Sequence, residues 1–240
     1  MTDLLYQTDS YLRGFDATVI GIDEARHALL LDRTAFYPGG GGQPADSGLL
    51  TFNNLTVPVV QARKSIEGVW HVIGGEDLTL PTVGVTAHGE IDWARRYDLM
   101  RTHTAMHVLC GTVFRDYGAL VTGGDMEPLH GRMDFEFESL SKELVGVIEE
   151  AVNREVVAAR EVRVAILPRE EAFQIPDLIR TKINLLPPEI THVRTVQLVG
   201  LDLQADGGTH VHNTSEVGRM RVVDYKSKGK INKRIVLEVT

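Results

Sequence analysis

Between residues 15 and 91 the apolar positions come in short runs, at 17–22, 28–31, 55–60, 69–72 and 83–85. Turn residues separate them, as in Phe52-Asn-Asn-Leu55 and Gly74-Gly-Glu-Asp77. Runs of this length bounded by turns predict strands, and several at close spacing predict a small barrel or curled sheet. Residues 1–14 read as a leader with one short amphipathic piece, Leu4, Leu5, Tyr6, Tyr11 and Leu12. From Asp92 the period lengthens. Asp92 is placed to cap a helix running to about Tyr117, with no Pro or Gly before Gly111. Residues 118–124 read as a loop carrying Thr122. Then Met133, Phe135 and Phe137 alternate with Arg132, Asp134 and Glu136, which predicts a strand over 131–137. Ser141 caps the next helix, whose stripe is Leu144, Val145, Ile148, Ala151, Val152 and Val156, ending near Ala159. Strands are expected at 162–167 and 193–199, with Pro168 as the first residue of a short helix between them. A closing hairpin, 219–225 and 231–239, turns at Ser227-Lys-Gly229-Lys. Strands first and mixed elements after predict an α+β chain of two domains, 1–91 and 92–240.

Composition narrows the setting. The chain has 240 residues, 43% hydrophobic and 24% charged, an ordinary globular balance. No apolar run is long enough to span a bilayer, so no membrane association is expected. The N-terminus lacks a basic stretch followed by an apolar core, so no signal peptide is expected. Cys110 is the single cysteine, which excludes an internal disulfide and points to a reducing cytoplasm. The net charge of -8 excludes bulk attraction as a reason for binding nucleic acid. One local basic patch exists, formed by Arg219, Arg221, Lys226, Lys228, Lys230, Lys233 and Arg234. It reads either as a phosphate-contacting surface, with Lys226, Lys228, Lys230 and Arg234 as its centre, or as a solvated edge whose lysines block aggregation. No internal repeat, low-complexity tract or stable protein partner is evident.

The candidate chemistry lies in two segments about a hundred residues apart. In Arg101-Thr-His103-Thr-Ala-Met-His107-Val-Leu-Cys110 two histidines stand four apart on a helix, hence on one face. In Asp206-Gly-Gly-Thr-His210-Val-His212-Asn-Thr-Ser215 a carboxylate and an imidazole are again four apart, in a glycine-rich turn. His103, His107, Asp206 and His210 together make a tetrahedral set of nitrogen and oxygen ligands, which suits zinc. Read separately, the same residues are a pair of core histidines and a capped turn. His212 would share the face of His210 in an extended segment, as an outer partner or substitute ligand. Cys110 reads as a small core residue. The residue after His103 is Thr104, so the general-base glutamate of a zincin protease is missing. The run Gly39-Gly-Gly-Gly42-Gln43 lets backbone approach a ligand closely at Gly41 and Gly42, or forms a flexible surface hairpin. It is not a phosphate loop, because no Gly-Lys-Ser/Thr follows.

These motifs carry a resemblance. Arg101-Thr-His103-Thr-Ala-Met-His107-Val-Leu, with Asp206-Gly-Gly-Thr-His210-Val-His-Asn-Thr-Ser-Glu-Val-Gly218, resembles the editing domain of alanyl-tRNA synthetases and of the free-standing AlaX proteins. Phe36-Tyr-Pro-Gly-Gly-Gly-Gly-Gln43-Pro-Ala-Asp46-Ser-Gly48 is similar to the glycine-rich motif of the longer AlaX type, and Lys228-Gly-Lys230-Ile-Asn232-Lys-Arg234-Ile also fits. The match covers nearly the whole chain in order. The resemblance implies an N-terminal β-barrel before an α/β editing domain, and a cytoplasmic, Zn2+-dependent deacylase. Its partner would be tRNA(Ala) wrongly charged with serine or glycine. His103, His107 and His210 carry over as zinc ligands and catalytic residues. Gln43, with Gly41 and Gly42, and more weakly Thr122, carry over as lining of the amino-acid pocket. The departure is Asp206, where the family pattern has cysteine. A carboxylate is a harder and less electron-donating ligand than a thiolate, so Asp206 either ligates as a substitute or leaves a depleted site. Two other functions stay open on this scaffold: a different metal-dependent acyl-ester hydrolase, and a non-catalytic tRNA-binding module with a decayed zinc site.

Overall fold

The computed structural model describes residues 2–75, 78–181, 186 and 190–240. By chain contacts it divides into two compact units, Met1–Tyr97 and Asp98–Thr240.

The first unit is built on strands β1 (Asp3–Leu4), β2 (Gly14–Asp23), β3 (Ala28–Leu31), β4 (Arg33–Thr34), β5 (Gly48–Phe52), β6 (Leu55–Lys64), β7 (Val69–Ile73) and β8 (Thr86–Ile91). Six of them close into a barrel in the order β2-β3-β7-β6-β5-β8. Alternation explains the closure: Phe15, Ala17 and Val19 on β2 and Ala87 and Ile91 on β8 turn inward while their neighbours face out. The interior is completed by Leu29, Leu31, Leu50, Phe52, Val57, Val59, Val69 and Ile73. Two expectations change. Residues 83–85 form a turn and not a strand, because Gly84 takes φ +93° and pairing resumes only at Thr86. The first residues are not a loose leader: β1 pairs in parallel with β4, and buried Tyr6 packs edge-on to Tyr37 at 5.3 Å. Of the turn 74–77, Glu76 and Asp77 lie outside the described residues.

The glycine-rich segment belongs to this unit. Gly39, Gly40, Gly41 and Gly42 all have positive φ, from 58° to 133°, which side chains with a Cβ rarely adopt. Gly40 and Gln43 exchange backbone hydrogen bonds of 3.0 and 2.9 Å. The downstream anchor is a buried ion pair, in which Asp46 binds Arg96 and also accepts the Tyr37 N–H at 2.6 Å. Arg96 donates further to the carbonyls of Ser10 and Ala35.

The second unit contains most of α1 (Trp93–Tyr117), then β9 (Val121–Glu127), β10 (His130–Glu136), α2 (Lys142–Val157), β11 (Val162–Pro168), α3 (Arg169–Ala172), β12 (His192–Leu198), β13 (Asp202–Ala205), β14 (Met220–Ser227) and β15 (Asn232–Val239). One sheet runs β14-β15-β10-β9 and another β11-β12-β13. As expected, Asp92 caps α1, its Oδ1 accepting the Arg95 N–H at 3.2 Å. Beyond its first turns α1 is buried nearly all round, through Leu99, Met100, Ala105, Met106, Val108, Leu109 and Val113, as a helix at the centre of a core must be. Ser141 caps α2 through the Leu144 N–H at 3.2 Å. Asn153 on α2 exchanges two hydrogen bonds with the Met220 backbone, at 2.8 and 3.0 Å, tying the helix to β14. Pro168 falls at the cap of α3 and not at its first residue. Thr122 lies in β9, not in a loop: the polar stretch Thr122-Gly-Gly-Asp125 hides a strand whose backbone pairs with β10. The chain is therefore α+β, a closed barrel followed by mixed sheets and helices.

Candidate metal centre

α1 and the segment after β13 bring four side chains to one point. One ligand atom from each of His103, His107, Asp206 and His210 lies within 4.8 Å of the others. The rings of His103 and His210 are 4.3 Å apart, those of His107 and His210 4.7 Å, and those of His103 and His107 5.2 Å. Asp206 faces two of them, with Oδ2 3.0 Å from His210 Nε2 and Oδ1 3.5 Å from His103 Nε2. All three histidines are buried, and Asp206 nearly so.

Local structure explains the convergence. The helical spacing of four places His103 and His107 on one face of α1. The hairpin of β12 and β13, registered Leu198↔Asp202, delivers the chain to the same place. The Asp206 side chain accepts the Gly208 N–H at 2.7 Å, which turns the glycine-rich segment and sets His210 back against its own Asp206. Thr104, one residue from His103 on α1, accepts the Val211 N–H at 3.2 Å and lies 3.1 Å from His210 Nδ1.

Charge follows from burial and from these contacts. Burial, only partly opposed by the Asp206 carboxylate, pushes His103 down to about 4. Burial and then the nearby His103 hold His210 well below the usual imidazole range. Burial penalises ionised Asp206, but the charge of His103 and the hydrogen bond from His210 outweigh it and hold its pKa well below the carboxylate range. His107 moves up: burial opposes its charge, but the Asp202 carboxylate, 3.4 Å from Nδ1, and the charge of Asp206 prevail. Neutral imidazoles beside an ionised carboxylate are the forms that hold a metal, whose entry displaces any remaining proton. Three buried imidazoles and a carboxylate fit a divalent first-row ion of the zinc type in donor number, donor kind and spacing.

The other residues singled out by sequence sit in settings of their own. Gln43 is buried in the glycine-rich segment of the first unit, where Gly41 is exposed and Gly42 half-buried. The hydroxyl of Thr122 donates to Asn232 Oδ1 at 2.8 Å. His212 is exposed and outside the cluster. His210 is buried where His212 is exposed, so the two do not share one environment. Cys110 is buried, with its thiol pKa pushed up chiefly by burial, as befits a core residue. In the basic patch Lys226, Lys228 and Lys230 are exposed near the turn between β14 and β15. Lys233 is buried and donates to the carbonyls of Gly229 and Lys230. Arg234 makes a two-pronged pair with Asp134, both distances 2.7 Å.

Four residues near the cluster give little sign of themselves in the sequence: Thr104, Asp202, Gln204 and Arg180. Asp202 Oδ2 lies 3.4 Å from His107 Nδ1, Gln204 Nε2 donates to that oxygen at 2.5 Å, and Arg180 Nε donates to Asp202 Oδ1 at 3.2 Å. A signal for two of them is present. Asp202, Gln204 and Asp206 recur at even spacing, which puts polar side chains on one face of a strand.

Residues 13–95 match the model of class II (A) tRNA synthetases, and residues 193–236 match the second additional domain of threonyl and alanyl tRNA synthetases. The chain is 37% identical to the alanyl-tRNA editing protein AlaX-M of Saccharolobus solfataricus, over 100% of this chain and 99% of that one. It is 36% identical to AlaX-M of Methanosarcina mazei, over 98% and 95%. It is also 36% identical to the alanine–tRNA ligase of Pyrobaculum neutrophilum, over 91% of this chain but 25% of the ligase. A full-length match to stand-alone proteins and a partial match to a ligase both point the same way: the chain belongs to the AlaX-M family of alanyl-tRNA editing proteins.

Proposed function

We propose that this protein is a trans-editing aminoacyl-tRNA deacylase, which hydrolyses the ester of serine, and also of glycine, wrongly attached to tRNA(Ala). The observation that carries the reading is the convergence of His103, His107, Asp206 and His210 in a full-length relative of AlaX-M proteins. In this reading residues 1–91 are the barrel domain and 92–240 the editing domain. The four side chains hold Zn2+, with Asp206 in the place of the family cysteine. When bound, the ion supplies a Lewis acid for the ester carbonyl and an acidified water. An aminoacyl ester is already activated, so its hydrolysis needs positioning more than a strong base. That suits a helix with Thr104 where a zincin has glutamate. His103 and His107 are fixed by a rigid buried helix, and His210 is oriented by Thr104. We assign recognition of the amino acid to Gln43, with Gly41 and Gly42. A site that hydrogen-bonds the serine hydroxyl rejects alanine, which leaves the polar group unpaired. The exposed Lys226, Lys228 and Lys230 are assigned to tRNA phosphates, with Arg234 supporting the strand beneath them.

The test is deacylation of Ser-, Gly- and Ala-tRNA(Ala) side by side with metal analysis. The expected result is release of serine and glycine with alanine retained, and near-stoichiometric zinc. Asp206→Ala should lose zinc and activity together, and Asp206→Cys should retain both. Equal release of all three amino acids, or release from free esters without any dependence on tRNA, overturns the editing assignment. Full activity in a protein stripped of metal overturns the metal assignment.

A further inference from the structure

We propose that Asp202 is a positioning residue, which selects the His107 tautomer that presents Nε2 to the metal and is itself held for this task by Arg180 and Gln204. The inference rests on the reading of the four-residue cluster as the metal site, which His107 shares.

Asp202 is 5% exposed, so its carboxylate must find partners inside the protein. Arg180 Nε donates to one oxygen, Oδ1, at 3.2 Å. Arg180 is in turn anchored by the Asp177 carbonyl at 2.7 Å and lies over the Phe114 ring, 3.9 Å from its centre. A purely structural ion pair would be complete there. The second oxygen, Oδ2, is turned instead toward the metal cluster, 3.4 Å from His107 Nδ1. That is about half an ångström beyond the usual N–H···O separation, within reach of a small ring rotation.

Two groups compete for Nδ1. Gln204 Nε2 stands 3.5 Å from it. An amide N–H there would make Nδ1 an acceptor, place the ring proton on Nε2 and close the ring to a metal. A carboxylate does the reverse: it accepts the Nδ1 proton and frees Nε2. The carboxylate prevails because hydrogen bonds to a charged acceptor are roughly twice as strong as neutral ones. The Gln204 amide has two N–H groups, and its shorter contact, 2.5 Å, is to Asp202 Oδ2. Gln204 is thus a second clamp on the carboxylate, and its 3.5 Å contact with the ring is the weaker one.

The decisive measurement is nitrogen-15 NMR of the His107 ring at about pH 9, above the imidazole range, in the metal-free and the zinc-loaded protein. The proton is expected on Nδ1 in both. A proton on Nε2 in the metal-free protein overturns the inference, whether or not the site takes zinc. Asp202→Asn presents an amide N–H to Nδ1, so the tautomer should switch and zinc affinity, read by chelator competition, should fall about 10–100-fold. An Asp202→Asn protein with an Nδ1 proton and wild-type zinc affinity also overturns it. Circular dichroism checks that this variant is folded; if it is not, the wild-type spectrum decides alone. Absence of zinc uptake by the wild type would count against the metal site, and the tautomer would still decide the role of Asp202.

Discussion

A buried histidine outside the metal cluster shows how one residue ties local chemistry to stability. His71 points into the barrel, fully buried. Its Nδ1 donates to the Leu29 carbonyl at 3.2 Å, and its Nε2 accepts from the Thr34 hydroxyl at 2.8 Å. That hydroxyl accepts the Phe36 N–H at 3.1 Å, so a neutral ring helps set the start of the glycine-rich segment. Burial, slightly offset by the Leu29 carbonyl, pushes His71 down to about 4. In the unfolded chain the ring takes a proton near 6.5. Between those values the unfolded chain binds more protons, so stability falls as pH drops from about 6.5 toward about 4 and is unaffected above neutrality. The contribution of this residue reaches about 3 kcal/mol at pH 4, at roughly 1.4 kcal/mol per unit. Urea unfolding of wild type and His71→Gln across pH 4–8 checks it: the variant should show the shallower loss. Parallel curves would mean that the ring titrates normally in the fold.

Among the elements, α1 does most to assemble the site, and a glycine decides how closely its partner approaches. A Cβ on Gly111 would lie 2.8 Å from the Asp202 Cβ and 3.1 Å from the Leu201 Cγ. The turn entering β13 therefore packs directly on helix backbone, one turn past His107. In an exposed helix, Gly→Ala stabilises by about 1 kcal/mol. At Gly111 the clash should exceed that gain, and Gly111→Ala is expected to cost about 1–3 kcal/mol net. It should also weaken zinc binding by pushing Asp202 from His107. Gly146→Ala on α2, where nothing lies within 4 Å of the added carbon, should stabilise by about 0.5–1 kcal/mol and leave zinc binding alone. Denaturant unfolding and chelator competition on the two variants check both statements. Equal behaviour of the pair would show that the close approach is unimportant.

At the scale of the whole molecule, charge is the property that matters for a polyanionic partner. The chain carries -8 overall, so the tRNA of the proposed function would have to meet a local surface. Of the basic patch, Lys233 and Arg234 are engaged internally, whereas Arg219, Arg221, Lys226, Lys228 and Lys230 are exposed, Lys226 with Asp224 at 3.6 Å; three of these, Lys226, Lys228 and Lys230, cluster near one turn. Replacing the three lysines with alanine should weaken tRNA binding and flatten its dependence on salt. Each lysine that neutralises a phosphate should account for about 0.7–0.9 of the log–log slope. Filter binding from low to high salt checks this, and an unchanged slope would return the lysines to the role of a solvated edge. Among the described residues no helix is long and apolar enough to cross a membrane.

The sequence by itself determined what depends on neighbours in the chain. Short apolar runs between turn residues marked β2, β3, β6 and β7, Asp92 and Ser141 marked helix starts, and the spacing of four put His103 and His107 on one face. Strands whose pattern is interrupted stayed hidden: β9 by its paired glycines, and β13 because its four residues are too few for a period. Only the tertiary structure decided which distant groups meet. It closed six strands into a barrel, brought Asp206 and His210 to α1, gave Asp134 to Arg234, and placed Asp202 beside His107. The reason is physical: period and capping are set by bonds a few residues long, whereas these meetings are set by packing and by loop closure over tens of residues, which no local pattern specifies.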